Sequence, residues 1–188
     1  MSEINKVSTL SDAPEFEVVE ESTKEMELVD PSEFENKIAD EVKESDLEDM
    51  YAVSQEMVKF AHARNAIGLT FTQIGINKSG FVSLNNSGAW EVMLNPSYFG
   101  EGKKIWVYER SLSYGDDVYA TQRFKRIRAV FYTIDVDKED RLHLKKQYRM
   151  MSGMRAFSFQ NLTDFVNGKT PRVTGIKYKE AAKDELQE

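Results

Sequence analysis

The side chains most often used for nucleophilic and metal chemistry are scarce in this sequence. It contains no cysteine, and its two histidines, His62 and His143, lie far apart in the chain. Disulfides, thiolate nucleophiles and zinc sites that use sulfur are therefore excluded, as is a histidine-rich metal site. We assign neither histidine a catalytic role. Any chemistry must come from other side chains, and three short segments provide the candidates.

These segments are GLTFTQIG (residues 68–75), ERSLS (109–113) and FQNLTDFVNG (159–168). In this order and at these separations they resemble the three motifs of peptide deformylases, G-x-G-L-A-A-x-Q-x-G, E-G-C-L-S and Q-H-E-x-D-H-L-x-G. The pair Asn95 and Pro96, between the first two segments, adds to the resemblance. It covers roughly residues 45–170 and implies an α+β fold, a peptide-deformylase-like domain with antiparallel sheets around the helix of the third motif.

The resemblance implies a site that hydrolyses an N-terminal formyl group with the help of a divalent metal. In the family, one Cys and two His hold the metal and a Glu acts as general base. A Gln side chain and a backbone N–H stabilise the oxyanion. Here Gln73 keeps the Gln position, Leu112 keeps the backbone position, and Gln160 and Asp164 are also kept.

The four residues that would perform this chemistry are replaced. Ser111 stands at the Cys position, Asn161 and Phe165 stand at the His positions, and Leu162 stands at the Glu position. Neutral hydroxyl and amide oxygens bind zinc weakly, and phenylalanine has no lone pair. Leucine cannot remove a proton from water. We therefore expect no metal, no cofactor and no catalytic residue, a former pocket filled by packed side chains, and a chain that is not an enzyme.

These replacements favour a catalytically inactive protein that acts as a structural or protein-binding subunit of a larger assembly. A phage virion is one such assembly, by analogy with the deformylase-like genes of tailed phages. Two alternatives stay open. The first is a divergent deformylase or other hydrolase that uses Ser111 with Glu109 and Asp164, although no base of the usual kind is visible near Ser111. The second is a binder that holds N-terminal peptides without cleaving them.

A basic segment provides a candidate binding surface. Its cations are Arg123, Lys125, Arg126 and Arg128, and they alternate with aromatic and aliphatic residues. Such a strip can line a phosphate-binding face, or it can protect an edge strand against aggregation. Nucleic acid is the less favoured partner because the chain carries a net charge of −7. An acidic segment is the more natural partner.

The acidic charge is concentrated at the front of the chain, where residues 1–50 hold 17 Asp and Glu against 4 Lys. We expect an acidic arm over residues 1–44, extended or with a short helix over 31–43, that docks on protein partners and is dispensable for folding. A deformylase-like domain would follow over 45–175, and a charged tail over 176–188. No apolar run is long enough for a membrane span, and no signal peptide is visible. A cytoplasmic or virion setting is therefore expected rather than secretion.

The elements that would position the three segments can be read from periodicity. A helix is predicted from Ser45 to about Asn65, with Ser45 and Glu48 as a capping box. Strands are predicted over 80–84, 91–96, 105–109, 118–123 and 126–134, and a second helix over 153–167. The order of helix, strands and helix is typical of an α+β domain.

Overall fold

A computed structural model describes residues 26–178. Its helices are α1 (Leu47–Ala63), α2 (Gly153–Val166) and the short α3 (Pro171–Thr174). Its strands are β1 (Gly68–Thr70), β2 (Gly80–Leu84), β3 (Trp90–Glu109), β4 (Tyr119–Val136), β5 (Leu142–Ser152) and β6 (Ile176–Lys177). No helix among these residues is long and apolar enough to cross a membrane.

The strands form one antiparallel sheet in the order β1-β2-β3-β4-β5, with β6 on the free part of β4. β3 changes partner along its length, because Trp90 to Leu94 pair with β2 whereas most of the strand pairs with β4. The sequence predicts two strands in place of β3, and two in place of β4. Pro96, Gly100 and Gly102 suggest a break in β3, but irregularities between Leu94 and Ser97 and between Glu101 and Lys104 absorb it.

The sheet carries a core on each face. Alternate residues of a strand point to opposite faces, and Phe81 and Met93 join one buried cluster while Val82 and Val92 join the other. α2 packs with the first cluster through Phe159, and α1 packs with the second. The predicted α+β architecture, with antiparallel strands and the third motif on a helix, is confirmed.

α1 lies close to its predicted position. It is preceded by a 3-10 turn, Glu44–Asp46, in which the backbone N–H of Lys43 donates to Oδ2 of Asp46 at 2.8 Å. Its apolar stripe is buried, including Leu47, Met57 and Ala61. The helix therefore forms because this stripe completes the core, with acidic residues in its first turn that suit the helix dipole.

The described part of the predicted arm lies on the domain. In place of a short helix over 31–43 there is one 3-10 turn, Pro31–Glu33. Phe34 and Val42 are buried, but Ile38, predicted on the same helix face, is 75% exposed. Residues 1–25 lie outside the described part of the chain, so the proposed assembly role of that segment stays a prediction.

Asn95 forms hydrogen bonds that join the arm to β3. Its Oδ1 accepts the backbone N–H of Val42 at 2.8 Å, and its Nδ2 donates to the carbonyl of Val42 at 2.9 Å. Its φ of 47° lies in the left-handed region, which Asn tolerates better than most residues. Farther back, Ala39 donates to the carbonyl of Val166 at the end of α2. These contacts make residues 26–44 part of the folded domain.

Candidate functional site

The three motif segments meet at one cavity of about 1030 Å³. β1 and the end of β3 supply two of its walls, and α2 supplies a third. The cavity-facing residues of α2 recur at helical spacing, and they are Met154, Phe157, Ser158, Asn161 and Phe165. Leu162 and Phe165 are buried at this wall, as the predicted packing requires, but an open space remains beside them, so packed side chains do not fill the whole pocket.

Gln73 binds the first motif to the second. Its Oε1 accepts the backbone N–H of Thr70 at 3.0 Å, which closes the 3-10 turn Phe71–Ile74. Its Nε2 donates to the hydroxyl oxygens of Ser111 at 3.2 Å and Ser113 at 2.9 Å. Gln73 is 3% exposed, and both the oxygen and the nitrogen of its side-chain amide are hydrogen-bonded. It therefore holds the turn that carries Ser111 in place.

A buried ion cluster lies beside the cavity. The guanidinium of Arg123 donates from Nε and Nη2 to both oxygens of Glu109, at 2.8 and 2.9 Å, and from Nη1 to Asp164. Burial disfavours the charged guanidinium, but the two carboxylates outweigh it and hold the pKa of Arg123 above its ordinary value. Burial, together with the charge of Asp164, raises the pKa of Tyr98, which donates to that carboxylate, to about 12.

This cluster engages the two carboxylates that the hydrolase alternative pairs with Ser111. Glu109 and Asp164 were the candidate partners of Ser111, but both carboxylates are engaged by Arg123. Ser111 instead accepts hydrogen bonds from Gln73 and from the backbone N–H of Ser113 at 3.3 Å. Among residues 26–178, neither carboxylate is hydrogen-bonded to the hydroxyl of Ser111, so the predicted pairing is not formed in this structure.

Some residues of the third motif pack in the protein interior, and others line the cavity. Gln160 is 1% exposed, and its amide clamps the backbone of Phe124, accepting from the N–H and donating to the carbonyl, each at 2.9 Å. Leu162 and Phe165 are buried, and the Phe165 ring contacts Phe34 at a centroid distance of 5.9 Å. Asn161 is half-buried and lines the cavity.

The residues present do not fit the divalent metal that the motifs imply. The three ligand positions offer the hydroxyl of Ser111, the amide of Asn161 and the phenyl ring of Phe165, so no anionic or imidazole donor is available. The oxygen of Ser111 already accepts two hydrogen bonds. Across residues 26–178, no group of three or more His, Cys, Asp or Glu could hold a metal ion. We therefore derive no step through a metal.

The predicted basic strip is not one surface. Arg123 is 3% exposed and points into the buried ion cluster, so it cannot belong to an external binding face. This corrects the sequence assignment. Alternation along β4 separates Arg123 from Arg126 and Arg128, whereas Lys125 is exposed where the pairing with β3 is irregular. Lys125, Arg126 and Arg128 are exposed, and Arg128 pairs with Glu101 at 3.4 Å. For these three residues a binding role stays a prediction.

Sequence reasoning missed the apolar mouth of the cavity. Ile67, Tyr108 and Met154 line it and are 55%, 69% and 72% exposed. Their exposure could not be read from the sequence, because apolar residues next to strand and helix motifs are more often buried. The available signal is the spacing of Met154, Phe157 and Asn161, which places these three residues on one face of α2.

Solved structures similar to this chain are peptide deformylases. That of Thermotoga maritima has 20% identity and a TM-score of 0.65, covering 82% of this chain and 98% of that one. That of Synechococcus elongatus in complex with actinonin has 21% identity and a TM-score of 0.65, with 84% of each chain covered. That of the Vibrio parahaemolyticus bacteriophage VP16T has 24% identity and a TM-score of 0.65, covering 77% and 99%. No curated protein matches.

The family model for polypeptide deformylase matches residues 28–174. Family and fold are those of an enzyme, which contradicts the prediction that the chain is not an enzyme. The replaced metal ligands bear on one route of hydrolysis only, so they do not by themselves establish loss of catalysis. The match also begins within the predicted arm, in agreement with the packing of Phe34 and Val42. This chain belongs to the polypeptide deformylase family.

Proposed function

We propose that this chain binds the amino-terminal segment of a polypeptide as an added strand between β1 and β3. The observation that carries the proposal is the pair of open strand edges that flank the cavity. Among residues 26–178, β1 pairs with β2 alone, and the end of β3 pairs with β4 on its other side. An extended peptide can satisfy such edges through main-chain hydrogen bonds.

The edge of β1 faces the cavity through Gly68. The carbonyl of Ile67 accepts the N–H of Leu84, which directs the polar groups of Ile67 toward β2. Because these groups alternate along a strand, the N–H and C=O of Gly68 point away from β2, to the side where the cavity lies. A peptide backbone that passes along this edge would find one donor and one acceptor.

Gly68 also sets how closely α2 approaches β1. A Cβ built at this position would lie 2.6 Å from Cδ1 of Leu162 and 3.2 Å from the carbonyl oxygen of Val82. Only glycine fits between α2 and β2 without displacing Leu162, and its lack of a side chain leaves the backbone edge accessible. Gly68 therefore lets α2 pack closely on β1 beside the open edge of the strand.

The apolar mouth suits a ligand side chain. Tyr108 and Met154 expose more than two thirds of their surface at the rim, and Phe157 lies on the same face of α2 as Met154. Apolar pockets with a few polar groups are the usual form of a ligand site. Methionine is flexible and adapts its shape to different partners. An apolar first side chain of the peptide would be bound here.

Binding is tested with a fluorescently labelled hexapeptide that begins with methionine, measured by anisotropy with the full-length chain. Met154→Ser at the mouth should weaken binding by about five- to tenfold, because apolar contact area is lost. Met150→Ser is the matched control, since Met150 is also exposed, at 55%, but does not line the cavity. Equal affinities for the two variants would contradict the proposed location.

Two further measurements sharpen the result. A peptide with N-methylated backbone amides should bind much more weakly, because it cannot donate hydrogen bonds to a strand edge. Retained affinity would argue against strand addition. Formate release from an N-formylated form of the same hexapeptide is measured with the same protein. Release above the buffer rate indicates a hydrolase, and its absence indicates a binder, the two alternatives that the family membership leaves in place.

A further inference from the structure

β5 is an edge strand whose outer side has no partner strand among residues 26–178. It pairs with β4 along its whole length and with no other strand of that part of the chain. Its middle is exposed, since Tyr148 and Met150 have 73% and 55% of their surface open to solvent. An unpaired edge of this kind is a template for another extended chain.

One hydrogen bond shows which backbone groups of β5 face outward. The N–H of Leu144 donates to Oε1 of Glu44 at 3.1 Å, so this N–H points away from β4. Outward and inward groups alternate along a strand, and the register of β4 with β5 is regular. The N–H and C=O groups of Lys146, Tyr148 and Met150 therefore point outward as well. The edge offers three donors and three acceptors to an added strand.

The side chains of β5 favour an acidic partner with apolar residues. The strand contains no Asp or Glu and carries the cations Lys145, Lys146 and Arg149. Pairing with the β5 of a second copy would bring two cationic strands together, which disfavours a dimer through this edge. The exposed Tyr148 and Met150 lie on one face of β5. The edge therefore suits an extended segment that combines carboxylates with apolar side chains.

The chain itself contains such a segment, outside the described residues. Residues 1–25 hold seven Asp and Glu against two Lys, and residues 15–21 read EFEVVEE. Phenylalanine and valine are enriched in strands, and in this segment they stand among four glutamates. The segment combines the charge and the apolar side chains that the edge of β5 requires.

One antiparallel register matches residues 16–21 to residues 145–150. Opposite charges meet at three positions and apolar side chains at two, and these pairs are Glu17 with Arg149, Glu20 with Lys146, Glu21 with Lys145, Phe16 with Met150, and Val18 with Tyr148. Cross-strand pairs of both kinds stabilise a sheet. A shift by one residue would exchange the two faces and place Glu17 opposite Tyr148 or Met150. The sequence therefore favours this register.

The register also agrees with where the described part of the chain begins. Met26 packs against the core cluster of α1, as do Leu142 and Leu144 at the start of β5. In the antiparallel register Glu21 lies at this same end of β5, beside Lys145. The four residues between Glu21 and Met26 can span about 17 Å. A short tether keeps the segment at a high effective concentration, which favours the same molecule over a second copy.

We propose that residues 16–21 dock on the outer side of β5 as an antiparallel strand of the same molecule, with Val18 opposite Tyr148. The docked strand closes an edge of the sheet that would otherwise be open to other chains. β5 and β1 lie at opposite ends of the strand order, so this docking does not rest on the proposed function.

The absence of cysteine from the sequence allows a direct test in the full-length chain. The proposed register places Val19 opposite Gln147, so Val19→Cys combined with Gln147→Cys should form a disulfide within one molecule on mild oxidation. Val18→Cys combined with Gln147→Cys is the matched control. It places the two side chains on opposite faces and should keep its free thiols. A disulfide-linked dimer, or equal reaction of both pairs or of neither, would overturn the proposal.

Amide hydrogen exchange tests the same strand without introduced cysteines. The N–H of Tyr148 should be protected in the full-length chain, and Val18→Pro should speed its exchange by at least about tenfold, because proline disrupts the added ladder. Ser8→Pro is the control and should leave this rate unchanged, and the amide of Phe131 in β4 reports whether the sheet is intact in each variant. If the Tyr148 amide exchanges as fast in the unmodified chain as in Val18→Pro, the edge is open and this inference is wrong.

Discussion

Arg123 shows how far a single side chain can differ from its sequence context. It lies in a run of exposed cations, yet it is 3% exposed and forms ion pairs with both Glu109 and Asp164. A buried charge is tolerated when hydrogen-bonded partners surround it, and removing one partner leaves the others uncompensated. Two buried carboxylates depend here on one guanidinium, which makes Arg123 central to the stability of the site.

Arg123→Met should therefore lower the free energy of unfolding by about 3–5 kcal/mol at pH 7, measured by urea denaturation. Part of the loss should be recovered as the pH falls, because carboxylates without a counter-charge become protonated and lose their repulsion. Arg128→Met is the control, since Arg128 is exposed and pairs with Glu101 only at the surface, and it should cost less than about 1 kcal/mol. A similar cost for both variants would show that the buried cluster is not a stabilising unit.

At the scale of elements, Glu91 joins β3, β5 and α2. Its Oε2 accepts from Arg149 on β5 at 2.8 Å and from Arg155 on α2, and its Oε1 accepts from Asn85 at 3.2 Å. Burial raises the pKa of Glu91, but the two guanidinium groups and the Asn85 hydrogen bond outweigh it, so the pKa lies below its ordinary value of 4.5. The ionised carboxylate is thus the form that connects the three elements.

This pKa direction predicts how Glu91→Gln changes stability with pH. Because the folded-state pKa is depressed, the contribution of Glu91 is present above pH 4.5 and is lost as the pH falls through the lower folded-state value. The variant should be less stable by about 1–3 kcal/mol at pH 7 and should approach the unmodified chain below that window. Thermal unfolding between pH 3 and 7 measures the difference, with Glu101→Gln as a surface control. A cost independent of pH would contradict this assignment.

At the scale of the whole molecule, residues 26–44 complete the fold. Phe34 is 4% exposed and Val42 is 1% exposed. Glu35 accepts hydrogen bonds from Tyr114 at 2.7 Å and from Thr170 at 2.9 Å, and it pairs with Arg172. The segment therefore contacts both the turn next to the cavity and the region of α3 near the end of the described chain.

Deletion of residues 1–44 should lower the melting temperature by about 10 °C or more. Loss of the Phe34 side chain alone costs about 3–5 kcal/mol, and 1 kcal/mol corresponds to about 2–4 °C at this size. Deletion of residues 1–25, which keeps residues 26–44, is the matched control and should lower the melting temperature less than deletion of residues 1–44. If both truncations melt within 3 °C of the full chain, residues 26–44 do not stabilise the domain and the expectation of a dispensable arm applies.

The sequence by itself determined the fold class and the family. Three ordered motifs, with Asn95 and Pro96 between the first two, predicted a deformylase-like α+β domain, and the periodicity of α1 and α2 placed their helices within a few residues. These features are local, because motif order and helical spacing depend only on positions along the chain. The same reasoning identified Ser111, Asn161 and Phe165 as the residues that stand at the metal-ligand positions, and their chemistry follows from residue type.

Only the tertiary structure decided what surrounds those residues. Leu162 and Phe165 are buried at the cavity wall while Asn161 is half-buried, and the directions of neighbouring side chains on a helix depend on which elements pack against it. Likewise Arg123 points inward because β4 is covered by α2 on that face. Burial, open strand edges and unused hydrogen-bond donors arise from contacts between residues distant in sequence, so they became visible only when the chain was folded.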